Sequence, residues 1–494
     1  MDAFVAGLAI LADPKMLGVI VLGTLIGIIV GALPGISGST TAALLLPFTI
    51  GMSPTMGVAF LGAIYCAANY GGSITAVLVN TPGDPSASAT AFDGYPLAKQ
   101  GRAGLALGIS AISSAIGGIF SVIVLILLAP LLARVAYNIG PPEYFALAIF
   151  GLTMLGAVGG DAAVKNLMMG AVGLLLATIG TDLTTGVERF SFGVPELTDG
   201  LGFIPVLTGL FAMSELLTMI AERRQRIEML ALDAVKLPTA AEFRKCAKSI
   251  VLGCGLGTLI GILPALGATA AALITYGETK RWSKYPEEFG KGSIEGVAGP
   301  EAANNAAVGG AMVPTLALGI PGSTTAAIIL AGLLVHGIRP GPHLFNEQPT
   351  LLYAVFASML AANLIYLVLG LYAAKVFARI SLIPPSFLWP SVFALCVLGA
   401  YAPGQSVIDV WVMLGFGALG FAMRRYGFSP APLVMGLVLG QLVEENLKQS
   451  LILFDGSWLG FFGRPITLGL FGLIVVSFLV PAMMRGKPRV EARN

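Results

Sequence analysis

Residues 31–49 read GALPGISGSTTAALLLPFT, an apolar stretch broken by glycine and proline and followed at once by hydroxyl side chains. Pro34 has no backbone N–H and disrupts a helix, and Gly35 permits backbone conformations that other residues resist. In a bilayer, the backbone groups freed by such a break cannot face lipid, so they face protein, water or a ligand. The stretch therefore predicts a membrane helix that breaks at Pro34 and restarts among Ser and Thr residues.

The composition of the whole chain indicates a membrane protein. Its 494 residues are 56% hydrophobic and only 11% charged, and the mean hydropathy is +0.87, whereas soluble domains carry about 25% charged residues. A soluble fold of this size would need far more polar surface to cover its core. With roughly 20 apolar residues per spanning helix, the chain is predicted to be an all-α polytopic membrane protein with about 12 transmembrane elements.

Several other classes of protein are not indicated. The net charge of +2 and the lack of a basic stripe argue against a nucleic-acid partner. Four scattered cysteines suggest free, packed thiols rather than a disulfide or metal framework. Motifs of metalloproteases, serine hydrolases and ATP-binding loops are missing, so neither an enzyme nor an ATP-driven pump is predicted.

A positively charged loop divides the chain. Its basic residues are Arg223, Arg224, Arg226, Lys236, Arg244, Lys245 and Lys248. Because short cytoplasmic loops are enriched in Lys and Arg, this loop is predicted to be cytoplasmic. The predicted organisation is a first transmembrane repeat at 1–222, a cytoplasmic linker at 223–248 and a second transmembrane repeat at 249–494.

The two halves resemble each other at matched positions. GTLIGIIVGALPGISGSTTAAL (23–44) parallels GCGLGTLIGILPALGATAAALI (253–274), and GGSITAVLVNTPGDPSASA (71–89) parallels GGAMVPTLALGIPGSTTAA (309–327). Repeats with Gly/Pro-interrupted segments in corresponding positions indicate a transporter's binding site, and by analogy we expect inverted repeats with broken helices or re-entrant hairpins. The residues predicted to shape the hairpins are Pro34, Gly35, Gly71, Gly72, Pro82, Gly83, Pro264, Gly309, Gly310, Pro321 and Gly322.

Hydroxyl and amide side chains beside these breaks are candidates for binding a substrate. A helix N-terminus, with free N–H groups and the positive end of the helix dipole, suits an anion such as a carboxylate. The alternative is a kinked helix whose Ser and Thr residues serve only packing. The predicted substrate-binding residues are Ser37, Gly38, Ser39, Thr40, Ser73, Asn80, Thr81, Gly267, Thr269, Ser323 and Thr324.

A second set of polar residues suggests a coupling ion. Asn69, Glu301, Asn304 and Asn305 lie in apolar surroundings, where such groups are costly unless they are paired. Their oxygens, with unwound carbonyls, suit Na⁺, and Glu301 could instead carry H⁺. Ordinary interhelical hydrogen bonding, or for Glu301 a position at a loop edge, is the alternative. Apart from Na⁺, no metal or cofactor is predicted.

These motifs together resemble a known family, the large membrane subunit of the tripartite tricarboxylate transporters (TctA family). The resemblance is strongest at 31–49, in YGGSITAVLVNTPGDPSASATAFDGYPLAKQGRAG (70–104) and in GSIEGVAGPEAANNAAVGGAMVPTLALGIPGS (292–323). It continues in IGTDLTTGVERFSFG (179–193) and GFSPAPLVMGLVLGQLVEENL (427–447), and covers roughly 16 to 470.

The resemblance implies a multi-pass protein of the bacterial inner membrane. It implies two partners, a small integral membrane subunit and a periplasmic solute-binding protein that delivers substrate. It also implies uptake of small carboxylates, including citrate, by symport driven by an ion gradient. A self-sufficient carboxylate carrier or a channel-like membrane component remains the alternative; a carrier saturates and couples to a gradient, whereas a pore does not.

Overall fold

The structure is a computed structural model that describes residues 2–137, 139–158, 162–182, 184–222, 229–232, 234–264, 266–380 and 382–484. Residues 223–228 and Asp233 of the predicted cytoplasmic linker lie outside the described residues.

Helices dominate the described chain, as predicted. Up to residue 222 they are α1 (Asp2–Ile10), α2 (Pro14–Gly31), α3 (Gly38–Leu45), α4 (Pro54–Val79), α5 (Ser88–Leu97), α6 (Ala103–Ala136), α7 (Pro141–Val158), α8 (Ala163–Leu176), α9 (Phe203–Leu207) and α10 (Ser214–Ala221). Thereafter they are α11 (Ala240–Ile262), α12 (Gly267–Trp282), α13 (Ile294–Leu318), α14 (Thr324–Val335), α15 (Leu344–Glu347), α16 (Pro349–Ile380), α17 (Pro385–Gly404), α18 (Val407–Arg425), α19 (Pro430–Leu453) and α20 (Pro465–Met484).

Short elements complete the backbone. Two-residue strands β1 (Gly180–Thr181) and β2 (Glu188–Arg189) pair antiparallel. Turns of 3-10 helix lie at Leu46–Thr49, Pro85–Ala87, Pro195–Leu197, Pro286–Glu288 and Trp458–Gly463. Wider π-helical turns at Ala98–Arg102 and Thr208–Met213 join α5 to α6 and α9 to α10.

Within the described residues, eight helices are long and apolar enough to cross a membrane. They are Pro14–Gly31, Pro54–Val79, Pro85–Ala136, Phe203–Ala221, Ala240–Ile262, Pro349–Ile380, Ser386–Gly404 and Val407–Arg425. Shorter apolar helices lie at Ala163–Leu176, Thr324–Val335 and Pro465–Ser477. The chain is therefore an all-α, multi-pass membrane protein; the larger number expected from the sequence included short and broken segments of this kind.

Local sequence signals explain where several of these helices begin. Asp13 precedes Pro14 and accepts a hydrogen bond from the N–H of Lys15 at the start of α2. Thr239 and Glu242 form a reciprocal capping box at the start of α11. Such side chains satisfy N–H groups that have no partner inside the helix.

The chain divides into two compact units, Met1–Arg134 with Gly202–Ala422 and Val135–Leu201 with Met423–Asn494. The second unit takes one segment from before and one from after the charged loop, whereas the loop falls within the Gly202–Ala422 segment of the first unit. In the first unit, α4 and α13 are the central helices, and almost all of their residues are buried. α2 packs along α4, and α11 packs along α13.

The second unit contains a network of ion pairs beside the strand pair. Asp182 accepts from Lys448 Nζ at 2.5 Å, and Arg189 Nη1 lies 2.5 Å from Glu444 Oε1. The network borders a cavity of about 260 Å³. The hydrogen bond from Lys448, supported by the backbone N–H of Thr184, holds the pKa of Asp182 well below its usual range.

Candidate functional site

The first predicted break is present in the structure. α2 ends at Gly31, the chain turns through Pro34 and Gly35, and α3 begins at Gly38. Gly35 has φ +90°, a backbone conformation that side chains with a Cβ rarely adopt. Ser37 caps α3 by accepting a hydrogen bond from the N–H of Thr40 at 3.2 Å. The break thus exposes a helix N-terminus inside the first unit.

An internal carboxylate lies at this N-terminus. Asp84 Oδ2 accepts from the N–H of Gly38 at 2.7 Å, and Asp84 Oδ1 accepts from the N–H of Ser86 at 2.9 Å. The backbone of Asp84 packs directly against α4 at Gly72. Only glycine permits this contact, because a Cβ on Gly72 would lie 2.6 Å from the backbone nitrogen of Asp84. A carboxylate at a helix N-terminus is electrostatically favourable. Asp84 therefore occupies the kind of position that the sequence predicted for a substrate carboxylate.

The predicted hydroxyl groups around this break bond to one another. Ser37 Oγ lies 2.8 Å from Ser39 Oγ and 3.0 Å from Thr40 Oγ1. Thr40 and Gly38 are buried, whereas Ser37 and Ser39 are half-buried. The structure brings these four predicted residues together in one turn of chain beside Asp84.

The second predicted break lies between α11 and α12. α11 ends at Ile262, Leu263 is extended, Pro264 is buried, and α12 begins at Gly267, whose φ is +64°. No side chain caps the start of α12, and Thr269 lies half-buried in its first turn. This N-terminus therefore differs from that of α3, where Ser37 and Asp84 both bond to backbone N–H groups.

The start of α14 lies beside the start of α12. Ser323 caps α14 by accepting from the N–H of Ala326 at 3.2 Å, and a hydrogen bond of 2.7 Å joins its hydroxyl to Tyr65 Oη on α4. A Cβ on Gly267 would lie 3.9 Å from the Cβ of Ser323. Thr324, the first residue of α14, is half-buried. Ser323 and Gly267 are therefore neighbours, although 56 residues (323 − 267) separate them in the chain.

Two predicted substrate-binding residues lie at the surface of the first unit. Asn80 ends α4 in the left-handed conformation, with φ +60°, and both Asn80 and Thr81 are exposed. Ser73, nearer the middle of α4, is fully buried. The structure therefore separates Asn80 and Thr81 from the buried polar residues of the same helix.

The paired glycines lie within continuous helices rather than at helix breaks. Gly71 and Gly72 are interior residues of α4, and Gly309 and Gly310 are interior residues of α13. Each permits a close contact: a Cβ on Gly71 would lie 2.5 Å from the carbonyl oxygen of Ile28. Their effect is on helix packing, because small residues let membrane helices approach closely. The turns themselves are formed at Pro82–Gly83 and Pro321–Gly322.

A buried layer of amide side chains joins α4 to α13. Asn69 Nδ2 donates to the backbone carbonyl of Asn304 at 3.1 Å, and Asn305 Nδ2 donates to Asn304 Oδ1 at 2.6 Å. Tyr366 Oη lies 3.4 Å from Asn305 Oδ1. All of these residues are buried. The predicted ion-binding asparagines are thus brought together and hydrogen-bonded.

Glu301 lies in the same layer, in the interior of α13 rather than at a loop edge. Its carboxyl group is fully buried and accepts hydrogen bonds from Ser73 Oγ, Thr90 Oγ1 and Ser114 Oγ. Sequence reasoning identified Ser73 but missed Thr90 and Ser114. Nothing local marks those two residues, since they come from different helices.

Sequence reasoning also missed two buried aspartates of the first unit. Asp84 caps the 3-10 turn at Pro85–Ala87, and Asp-Pro-Ser is a local signal of such a cap. Asp93 Oδ1 accepts from three backbone N–H groups, those of Gly290, Gly292 and Ser293, at 2.8–2.9 Å. No local signal shows that Asp93 fastens α5 to the loop before α13.

The fold and this polar layer define a class of protein. Apolar helices of spanning length, two Gly/Pro breaks and buried polar side chains between them are features of membrane transporters. The chain belongs to the tripartite tricarboxylate transporter TctA family, which it matches over residues 17–435. It is therefore a membrane component of a transporter and not an enzyme, and the family resemblance of its motifs is confirmed.

Two relatives come from Agrobacterium vitis. One, an uncharacterized 52.8 kDa protein in the TAR-I ttuC′ 3′ region, is 40% identical over 473 residues, which are 95% of this chain and 94% of the relative. The other, an uncharacterized protein in the TAR-II ttuC′ 3′ region, is 38% identical over 237 residues, 47% of this chain and 98% of the relative. The first relative matches the chain along nearly its whole length.

Proposed function

We propose that this chain is the translocating subunit of a secondary carrier that imports small di- and tricarboxylates across the bacterial inner membrane. An ion gradient drives the import, a periplasmic solute-binding protein delivers the substrate, and a small integral membrane subunit completes the complex. Membership of the family supports the tripartite organisation. The observation that carries the proposal is the pair of helix breaks beside one buried polar layer in the first unit.

The substrate carboxylate is proposed to bind at the second break. The start of α3 already faces the carboxylate of Asp84, whereas the start of α12 at Gly267 has no side-chain cap. Helix N–H groups and a positive dipole end attract an anion. Thr269, Ser323 and Thr324 would supply hydroxyl donors there, and Ser37, Ser39 and Thr40 would line the facing side.

The coupling ion is proposed to act in the buried layer of Asn69, Glu301, Asn304 and Asn305. These residues link α4 to α13 at a depth where polar groups are costly unless they are paired or functional. Either Na⁺ or H⁺ is compatible with this part of the proposal.

The two halves are proposed to be repeats, and matched glycines make matching contacts. Gly83 packs against the carbonyl oxygen of Gly31. Its sequence counterpart Gly322 packs against that of Gly261, where a Cβ would lie 2.7 Å from the oxygen. Equivalent contacts at equivalent breaks support a duplication. Motion of one group of helices against the other would then expose the site to each side in turn.

The test is uptake into proteoliposomes that contain the chain with both partner proteins. Radiolabelled citrate is the first probe, followed by a panel of C4–C6 di- and tricarboxylates, with separate Na⁺ and H⁺ gradients. Saturable uptake that depends on a gradient is expected. Uptake that rises linearly with substrate and ignores both gradients would point to a channel-like component; full uptake without the binding protein would point to a self-sufficient carrier.

Two substitutions test the residues. Ser39→Ala and Asn304→Ala are each expected to reduce uptake at least fivefold while membrane expression stays at the wild-type level. Thr178→Ala, which removes a half-buried hydroxyl that bonds within its own turn, is the matched control. Wild-type uptake by both test variants would refute the residue assignment.

A further inference from the structure

The carboxyl group of Glu301 lies inside a ring of hydroxyl groups. Ser73 Oγ from α4 is 2.6 Å from Oε1, Ser114 Oγ from α6 is 2.6 Å from Oε2, and Thr90 Oγ1 from α5 also bonds to Oε1. Among the residues that the structure describes, the hydrogen-bond partners of this carboxyl group are all neutral hydroxyls. Glu301 itself is 0% exposed.

The other buried acids of the first unit have different surroundings. Asp84 and Asp93 accept from backbone N–H groups at the start of helices or turns. Glu295 accepts from the hydroxyls of Ser283 and Ser249, but it lies in the first turn of α13, at the positive end of the helix, and is 6% exposed. A carboxylate that is buried without an opposite charge is expensive, and a bound proton removes most of that cost.

The distances in the ring are those of ordinary O–H···O hydrogen bonds. The Oγ atoms of Ser73 and Ser114 each lie 2.6 Å from a carboxyl oxygen of Glu301. A hydrogen therefore lies between the two oxygens of each pair.

The hydroxyl groups can serve both protonation states without moving their oxygens. A hydroxyl donates one hydrogen bond and accepts others, whereas an ionised carboxylate only accepts. Ser73 Oγ lies 2.6 Å from Glu301 Oε1 and 3.5 Å from the carbonyl oxygen of Asn69. Its hydrogen can point to the ionised carboxylate, or turn to Asn69 when a protonated Glu301 donates to Ser73.

Additional buried hydroxyl groups lie near the ring around Glu301. Ser110 lies one helical turn before Ser114 on α6; it is buried and near enough to the Glu301 carboxyl group to interact with it, and its Oγ makes no shorter hydrogen bond within the described structure. Tyr70 Oη, on α4 one turn from Ser73, is also buried without a partner. Unpaired buried hydroxyls are uncommon, and those of Ser110 and Tyr70 lie within reach of the acid.

The titratable neighbours leave Glu301 as the group that changes charge. Tyr70 of α4 and Tyr366 of α16 are within electrostatic reach of it, and both are phenols, which stay neutral at the pH of transport. On the other described elements packed against α13, Asp84 and Asp93 are buried and bond to backbone N–H groups. Cys246 and Cys254 of α11 are buried thiols, and Tyr276 of α12, which bonds to Asp93, is half-buried.

We propose that Glu301 binds and releases the proton that couples carboxylate import to the proton gradient, with the hydroxyls of Ser73, Thr90 and Ser114 stabilising its ionised form. In each transport cycle the side chain of Glu301 gains one H⁺ from the periplasmic side and loses it to the cytoplasmic side. The inference rests on the proposed carrier function and names its coupling ion. It also assigns to Thr90 and Ser114 a role as positioning residues around the acid.

The test compares net uptake with exchange in proteoliposomes of the complete complex, with radiolabelled citrate or the best substrate of the panel. An imposed pH gradient should drive wild-type accumulation, and a Na⁺ gradient alone should not. Glu301→Gln mimics the protonated acid, so it should retain exchange of internal for external substrate at a rate within threefold of wild type. Its accumulation driven by the pH gradient should fall at least tenfold, and its exchange should lose the pH dependence of the wild type.

Glu295→Gln is the matched control, because it neutralises another buried acid of the same helix; it should keep accumulation driven by the pH gradient. Ser114→Ala removes one donor to the ionised carboxylate, so it should move the pH of half-maximal exchange upward by about one unit. This second variant keeps the test decisive if Glu301→Gln does not fold.

Several results would overturn the inference that Glu301 is the proton site. Accumulation by Glu301→Gln at the wild-type level, wild-type accumulation on a Na⁺ gradient alone, or loss of exchange together with uptake in a folded Glu301→Gln protein would each exclude Glu301 as the proton site. An unchanged pH profile in Ser114→Ala would do the same. A failure of the carrier proposal is distinguishable, because wild-type protein would then show neither saturable uptake nor exchange.

Discussion

Asp84 Oδ2 accepts a hydrogen bond of 2.7 Å from the backbone N–H of Gly38, so a side chain of the protein itself lies at the positive end of α3. Because this carboxylate also bonds to the N–H of Ser86, it fastens the turn after α4 to the helix that follows the first break. The two matched helix breaks are therefore chemically different: one faces an internal anion, and the other starts without a side-chain cap.

Removing the Asp84 carboxylate should loosen the first break. Asp84→Ala leaves two buried N–H groups without their charged acceptor, and we expect the free energy of unfolding in detergent to fall by about 2 kcal/mol. Asp13→Ala is the matched control, since Asp13 caps α2 at an exposed position with one hydrogen bond; it should cost about 1 kcal/mol or less. Equal losses in the two variants would contradict the special role of Asp84.

The close approach at Gly322 should not tolerate a methyl group. A Cβ there would lie 2.6 Å from the Cα of Ala311 and 2.7 Å from the carbonyl oxygen of Gly261. Gly322→Ala is therefore expected to lower the free energy of unfolding by about 1–3 kcal/mol, as overpacking does. In Gly277→Ala the new methyl group meets no atom within 4 Å, and better helix propensity should raise stability by up to about 1 kcal/mol. The measurement is thermal unfolding of both variants in detergent. If Gly322→Ala were more stable than Gly277→Ala, the close packing described at Gly322 would be refuted.

The Asp182–Lys448 pair should make the second unit sensitive to acid. The folded-state pKa of Asp182 lies below the unfolded value of about 3.9. Its carboxylate therefore stabilises the fold above pH 4, and this contribution is lost as the pH falls toward the folded-state pKa. Asp182→Asn should be less stable than wild type at pH 7, and the difference should shrink between pH 4 and the acid limit of the assay.

Asp199 provides the control for that titration. It lines the same cavity but is not part of the Asp182 network. Asp199→Asn should change stability little at pH 7. A difference between Asp182→Asn and wild type that stays constant down to the lowest pH would show that the ion pair does not stabilise the fold.

Thiol labelling should distinguish the exposed end of α4 from its buried interior. All four native cysteines are buried, so the wild-type protein should react slowly with a membrane-impermeant maleimide. Thr81→Cys should label faster than a buried position, because position 81 is exposed in the turn after α4. Ala76→Cys, on a fully buried part of the same helix, is the matched control. Equal labelling of both variants would refute the placement of this segment.

Much of the backbone was predictable from local sequence. The breaks at Pro34 and Pro264 lie where expected, because proline and glycine restrict or free the backbone through their own covalent structure. The paired glycines were harder to interpret. Gly71 and Gly310 do not form turns but let α4 and α13 pack against neighbouring helices, and a glycine inside a helix has no sequence pattern that tells these uses apart.

By itself, the sequence determined that this chain is a multi-pass helical membrane protein of the TctA family and where its helices break. Those properties follow from hydropathy, from proline and glycine, and from motifs that are continuous in the chain. Only the tertiary structure decided that Asp84 lies at the start of α3 and that hydroxyls 228, 211 and 187 residues away surround Glu301. The physical reason is that helix packing selects the hydrogen-bond partners of a buried group, and it joins residues that no local pattern connects.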